Sequence, residues 1–242
     1  MASNFNTLVG EIARVHHHFQ AHAVKAVNVS LTLRNWLFGC YIREYELRGS
    51  DRAAYGAHLL EKLAHRLSQN GIPRADEREL RRYRQFYLTY PQIRESLPPE
   101  FINVLTGISK RVPIRETTSP ESLLPDKALL ERFSFSHISE LLQLEDPTQR
   151  AFYEYECYRG HWSVRELRRQ IASLYHERSG LSRNRKLLAK LAHAKTDLAD
   201  PAQVIRDPYI FDFLGIKAKE ALSETALEDS LLNRLQDFVI IV

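Results

Sequence analysis

Cysteine is scarce in this chain: Cys40 and Cys157 are the only two among 242 residues. Both sit in apolar, helix-like stretches, so they read as buried thiols in a reducing compartment and not as a disulfide framework. Glycine is also scarce, at nine residues. No glycine-rich loop is present to cradle a phosphate, and no G-x-S-x-G marks a nucleophile elbow. Neither cysteine has an evident activating partner, and Ser136-His137 is mere adjacency; Ser136 reads as a helix cap. No apolar run approaches the length of a bilayer span. The opening MASNFNTLVGE lacks the basic start and apolar core of a secretion signal. The expectation is a cytoplasmic protein with no cofactor, no metal, no membrane partner and no small-molecule substrate.

What remains is helical patterning. Leu33, Trp36, Leu37, Cys40 and Tyr41 share one face of a long helix that should run to about Leu47. Gly49 and Ser50 break it, and Asp51 can cap the next helix, whose buried stripe is Tyr55, Leu59, Leu63 and Leu67. Gly71 suits a left-handed turn. Asp76 can cap a third helix with Glu79 at the box position, and Pro91 ends it. Pro91, Pro98, Pro99, Pro113, Pro120 and Pro125 mark a proline-rich linker. Asp146-Pro147 starts another helix, Asp207-Pro208 a short one ending at Gly215, and a final helix runs from about Ser223 to Phe238. The fold class is mainly α. Residues 1–92 form an N-terminal helical subdomain and 93–130 the linker. Residues 131–216 form a second helical subdomain, and 217–242 open a further one.

The stretch FYEYECYRGHWSVRELRRQI, residues 152–171, carries the most chemistry. It reads as a helix, a glycine turn and a second helix. Ser163 and Glu166 form a capping box, and Trp162 can staple onto Leu167. Val164, Leu167, Ile171, Leu174 and Tyr175 fall on one face. Arg165, Arg168 and Arg169 fall on another. A short, capped, arginine-faced helix after a tight turn is what a helix-turn-helix lays in a nucleic-acid groove. RELRR also occurs at 78–82, where Arg78, Arg81 and Arg82 share a face after another glycine-containing turn. The matching cap position suggests two helix-turn-helix units, winged-helix-like, one on each side of the linker.

Charge distribution points the same way. The net charge is +4, yet residues 159–190 hold nine Arg or Lys against two Glu. The rest of the chain is therefore net acidic, and a basic cluster of this kind is the footprint of a phosphate-backbone binder. Arg183, Arg185 and Lys186 would extend it. The competing expectation is that Arg168 or Arg169 pairs with Glu154, Glu156 or Glu177 and merely solubilises the surface. His18, the last of the HHH tract at 16–18, and His22 one turn beyond it have ligand spacing, but no carboxylate or thiol cluster joins them. Tyr83, Phe86, Tyr87 and Tyr90 interleave with arginine and could stack bases; Tyr83, Phe86 and Tyr90 read better as core.

The run at 152–171 resembles the signature of the YhcG-type (DUF1016) proteins, bacterial nucleases of the PD-(D/E)XK class. RRYRQFYLTYP at 81–91, RFSFSHISELL at 132–142 and VIRDPYIFDFLG at 204–215 agree in order. The resemblance implies an N-terminal helical domain that binds DNA, followed by a nuclease domain. SETALEDSLLNRLQDF would open that nuclease domain. The strands bearing the Asp and the (D/E)-x-K would lie past Val242, and the ending VIIV departs from the family pattern. Glu228 alone could map to the catalytic region, as a peripheral acid, and one carboxylate makes no metal site.

The expected function is thus a DNA-binding module that positions a nuclease domain but does not itself cut. The alternative is a protein-interaction or dimerisation module of a nuclease complex, docking through Leu227, Leu231, Leu235 and Phe238. Last comes an enzyme completed in trans with Glu228.

Overall fold

The computed structural model describes residues 5–48, 58–99, 101, 124–181, 207, 209, 210 and 212. Every regular element among them is helical, with no β-strand. Helix α1 spans Phe5–Arg48, α2 Leu59–Gln69 and α3 Glu77–Thr89. A 3₁₀ helix follows at Pro91–Ser96. Then come α4 Asp126–Arg132, α5 Phe135–Leu141, α6 Pro147–Gly160, α7 Val164–Ala172 and α8 Tyr175–Leu181. No helix among the described residues is long and apolar enough to cross a membrane.

The chain divides into two compact units, Met1–Leu31 with Asp200–Val242, and Thr32–Ala199. In the first, Val24, Val27, Leu31, Tyr209 and Ile210 are buried. The Asp207 carboxylate accepts from the Tyr209 N–H at 3.0 Å, as an Asp-Pro helix start requires. The expected end of that helix at Gly215 and the final helix at 223–238, with Glu228 and its leucines, lie outside the described residues.

The second unit is built around aromatic side chains. Leu33, Trp36, Leu37 and Cys40 of α1 are buried as the 3–4 spacing predicts. Tyr41 is not: it is exposed, and Ile42 is buried in its place. Gly49, Ser50, Asp51 and Tyr55 lie outside the described residues. In α2 the buried residue is Leu60, while Leu59, Leu63 and Leu67 are half-buried and line an apolar groove with Phe38 and Tyr45 of α1.

Helix α3 begins where Asp76 accepts from the Glu79 N–H at 3.1 Å. Pro91 stops it at Thr89. Its Tyr83, Phe86 and Tyr90 are core residues, which leaves none of the three free to stack on a base. The Tyr83 hydroxyl donates to the Arg74 carbonyl at 2.7 Å, and the Trp36 indole donates to the Tyr90 carbonyl at 2.9 Å. Phe135 of α5 meets Tyr83 and Phe86 with ring centroids 5.4 and 5.6 Å away. One aromatic core therefore takes residues from both sides of the proline-rich stretch. The Ser96 hydroxyl also bonds the Asp126 carboxylate, so the ends of that stretch meet where α4 packs on the 3₁₀ helix.

Both cysteines are free and buried. Burial pushes the Cys40 thiol up to about 11 and the Cys157 thiol further in the same direction.

Candidate nucleic-acid interface

Helix α6 starts on Asp146, whose carboxylate accepts from the Thr148 N–H at 2.8 Å, with Pro147 at the first position. The Gln149 amide donates to Glu177 of α8 at 2.7 Å. The helix ends differently from the sequence expectation. Gly160 is its last helical residue, and His161 takes the left-handed conformation at φ 52°. The Trp162 N–H then closes the turn on the Cys157 carbonyl at 3.1 Å. Residues 161–163 are the whole connection to α7.

The cap of α7 is half of the expected box. Ser163 Oγ accepts from the Glu166 N–H at 3.2 Å. The Glu166 carboxylate does not return to the Ser163 backbone. It is buried and accepts from Arg169 and from the Gln170 amide, both at 2.7 Å. A buried carboxylate needs several donors to offset lost hydration, and Arg169 and Gln170 supply charge and hydrogen bonds that one backbone N–H would not. Trp162 and Leu167 are both buried, the arrangement a hydrophobic staple requires.

Helix α7 is shorter than the apolar spacing suggests. It stops at Ala172, and Leu174 is no core residue: it is exposed in the turn at φ 53°. Tyr175 is buried as expected. The break is fixed from outside. The Tyr153 hydroxyl donates to the Gln170 carbonyl at 3.3 Å and accepts from the His176 N–H at 3.1 Å, so one side chain of α6 satisfies the end of α7 and the start of α8.

Ser136 is not the cap of α5. Ser134 holds that position, and its N–H donates to His137 Nδ1 at 3.1 Å. That bond makes Nδ1 an acceptor, so Nε2 carries the proton and donates to the Trp162 carbonyl at 3.0 Å. His137 thereby ties α5 to the connection that aims α7.

On this frame Arg165, Arg168 and Arg169 are all exposed. Arg168 donates to Glu140 of α5 at 2.7 Å, which holds its guanidinium more firmly charged. Arg169 pairs with Glu166. Arg165 is exposed with no ion-pair partner among the described residues. The carboxylates the sequence suggested are engaged elsewhere. Glu154 is fully buried, Glu156 accepts from the Tyr175 hydroxyl at 3.3 Å and lies 4.0 Å from Arg159, and Glu177 takes Gln149. The paired arginines keep most of their surface in water, at 65% exposed for Arg168 and 55% for Arg169.

The α3 repeat is built alike. Leu80 and Leu167 are both wholly buried, and each follows a buried glutamate whose N–H meets the cap. Arg82 pairs with Glu79 as Arg169 pairs with Glu166, and Arg81 pairs with Glu77. Arg78, like Arg165, is exposed without an ion-pair partner among the described residues. Two differences matter. Arg82 is only 15% exposed. The connection into α3 spans residues 70–76, with left-handed Gly71 and Arg74, and is not a tight turn.

Arg183, Arg185 and Lys186 lie outside the described residues. The rings of His18 and His22 stand 4.6 Å apart. Among the described residues no three His, Cys, Asp or Glu gather closely enough to hold a metal ion. Sequence reasoning missed Glu140 and His137, because both act on α7 from more than twenty residues away in sequence.

The chain is 33% identical over 229 residues to "Putative nuclease YhcG" of Escherichia coli (strain K12), an alignment that covers 91% of this chain and 58% of that relative. The chain thus spans less than two thirds of the length of the curated relative it matches. No solved structure matches it significantly. The family described as the DUF1016 N-terminal domain matches residues 11–106 and 117–178, well over half of the sequence, and the chain belongs to this family.

Proposed function

We propose that the chain is a DNA-binding module of a YhcG-like nuclease, with α7 as the face it turns to the duplex. One observation carries the reading. Three exposed arginines lie on a nine-residue helix whose other side is anchored by buried Glu166, Leu167 and Gln170. The three-residue connection from α6 fixes the helix's direction, as a helix-turn-helix needs. A nuclease, the activity in the relative's name, must meet nucleic acid.

The carboxylate pairs do not block this use: Arg169 can keep its bond to buried Glu166 and still offer phosphate its remaining N–H donors. Exposed ion pairs contribute only about 0–1 kcal/mol, so phosphate oxygens can displace Glu140 from Arg168 at small cost. Arg165 needs no such exchange. Arginine's planar fork suits both phosphate and guanine. Arg78 and Arg81 on α3 offer a second, weaker contact, and half-buried Arg82 contributes least. Arg183, Arg185 and Lys186 would extend the surface. On this reading the part this chain plays is to bind DNA and position a nuclease domain on it.

The test is fluorescence anisotropy on a short duplex at several salt concentrations, with wild type beside the Arg165, Arg168 and Arg169→Ala triple variant. Salt-sensitive binding is expected. The triple change should lower the magnitude of the log–log salt slope by about 2–3, at roughly 0.9 for each phosphate no longer neutralised. Binding that the triple variant leaves intact removes α7 from the interface. No binding even at low salt removes the function.

A further inference from the structure

The first four turns of α1 carry an apolar stripe that no described residue covers. Phe5, Leu8, Ile12, Val15 and Phe19 recur at spacings of three and four, with Val9 beside them, and each is between 49% and 76% exposed. This is the a/d repeat of a coiled coil, uninterrupted until His22. Singly exposed hydrophobes are ordinary, but six on one strip of one helix are not.

The stripe is not the near end of the buried face. Val24, Val27 and Leu31 are buried, and at about 100° per residue they lie roughly 110° around the axis from it. Nor does the segment hold itself helical. Gly10, Thr7, three β-branched apolar residues and the histidines at 16–18 are weak helix formers, so this end of the 44-residue α1 gains little from propensity. A packing partner on the stripe, which no described residue covers, would hold residues 5–19 helical.

We propose that this stripe is a homotypic seam, covered by the same stripe of a second copy of this chain. A strict 3–4 repeat is complementary to another helix with the same 3.5-residue period, and each copy supplies one. A two-fold pair uses the same patch on both subunits and leaves none of it open. Mating six side chains from each copy removes roughly 1,000 Å² from water, the lower bound for a specific interface, so the dimer should be reversible and concentration-dependent. A two-fold pair would also present two copies of α7, but the seam stands on α1 whether or not α7 binds DNA.

The full chain can be followed by sedimentation velocity from about 1 to 100 μM, the range in which an interface of this size is expected to respond. Wild type should pass from monomer to dimer. Ile12→Glu with Val15→Glu should weaken association at least tenfold, and His17→Glu, off the seam, should not. Should the double variant unfold, Ile12→Cys decides: it should form a disulfide-linked dimer under mild oxidation. Cys40 and Cys157 are buried and cannot give that product. A wild-type chain that stays monomeric at the highest concentration overturns the proposal. So does a dimer that the double change leaves intact while the Ile12→Cys variant fails to cross-link.

Discussion

Gly39 of α1 faces the backbone of Tyr83 in α3 so closely that a Cβ there would sit 1.9 Å from the Tyr83 carbonyl oxygen and 2.6 Å from its carbon. Only a residue without a side chain lets the two helices meet at this point. The obstacle is backbone, which cannot rotate aside as a flexible side chain can.

Gly39→Ala should therefore force α1 and α3 apart and disturb the Trp36–Tyr87 edge contact beside it, at 5.0 Å. The expected cost is about 2–3 kcal/mol or more, the upper range for overpacking. Gly10→Ala is the control. Nothing lies within 4 Å of its added methyl, so helix propensity should make that change stabilising by about 0.5–1 kcal/mol. Chemical denaturation of both variants measures the contrast. Equal effects would mean the close approach is absent.

Leu174 stands at φ 53°, exposed, between α7 and α8. A leucine in the left-handed region is strained by its Cβ, and its side chain gains little from burial there. Leu174→Gly should raise stability by about 1 kcal/mol, less the entropy glycine adds to the unfolded chain. Thermal unfolding of the variant reads this directly. A loss of stability would show that Leu174 makes contacts the turn depends on.

Alkaline pH should weaken the fold first through its two buried thiols, Cys40 and Cys157. Burial raises the Cys40 thiol from 9.0 to about 11. The unfolded chain releases this proton near pH 9, the folded chain near 11. Between those values the folded state binds more protons, so stability is complete below pH 9 and declines as pH rises through 11. The loss from this group should be roughly 2–3 kcal/mol. Burial likewise raises Tyr87 to about 12, which continues the decline above pH 10. Urea midpoints measured across this range should fall less steeply in Cys40→Ala. An unchanged slope would show the thiol already open to solvent.

How much of this was legible in the sequence depends on how far each interaction reaches along the chain. Asp76, Asp146 and Ser163 cap helices as read, because an N-cap bonds within three residues of itself. Tyr83, Phe86 and Tyr90 are core because helical spacing aligns them. The Arg168–Glu140 pair and the His137–Trp162 bond span 28 and 25 residues, and no spacing rule encodes them. The left-handed residues also escape, since His161 and Leu174 adopt a conformation that glycine would take more readily. The Phe5–Phe19 stripe is visible as a period, but period alone cannot separate a bare seam from a buried one.

Glu140 gives the sharpest handle on the proposed DNA interface. It is mostly sheltered, at 17% exposed, while its partner Arg168 reaches into water at 65%. Any phosphate that Arg168 binds must compete with this carboxylate. Glu140→Gln keeps the shape and a weaker acceptor but removes the charge, so Arg168 is freed without being moved. If α7 meets DNA, Glu140→Gln should tighten binding by up to about fivefold, the worth of a pair of roughly 1 kcal/mol. Arg168→Ala should weaken it, and the double variant should resemble Arg168→Ala alone, since Glu140 then has nothing to compete for. The same anisotropy titration measures all three. A gain from Glu140→Gln that persists without Arg168 would mean the carboxylate repels DNA generally and that Arg168 is not the contact.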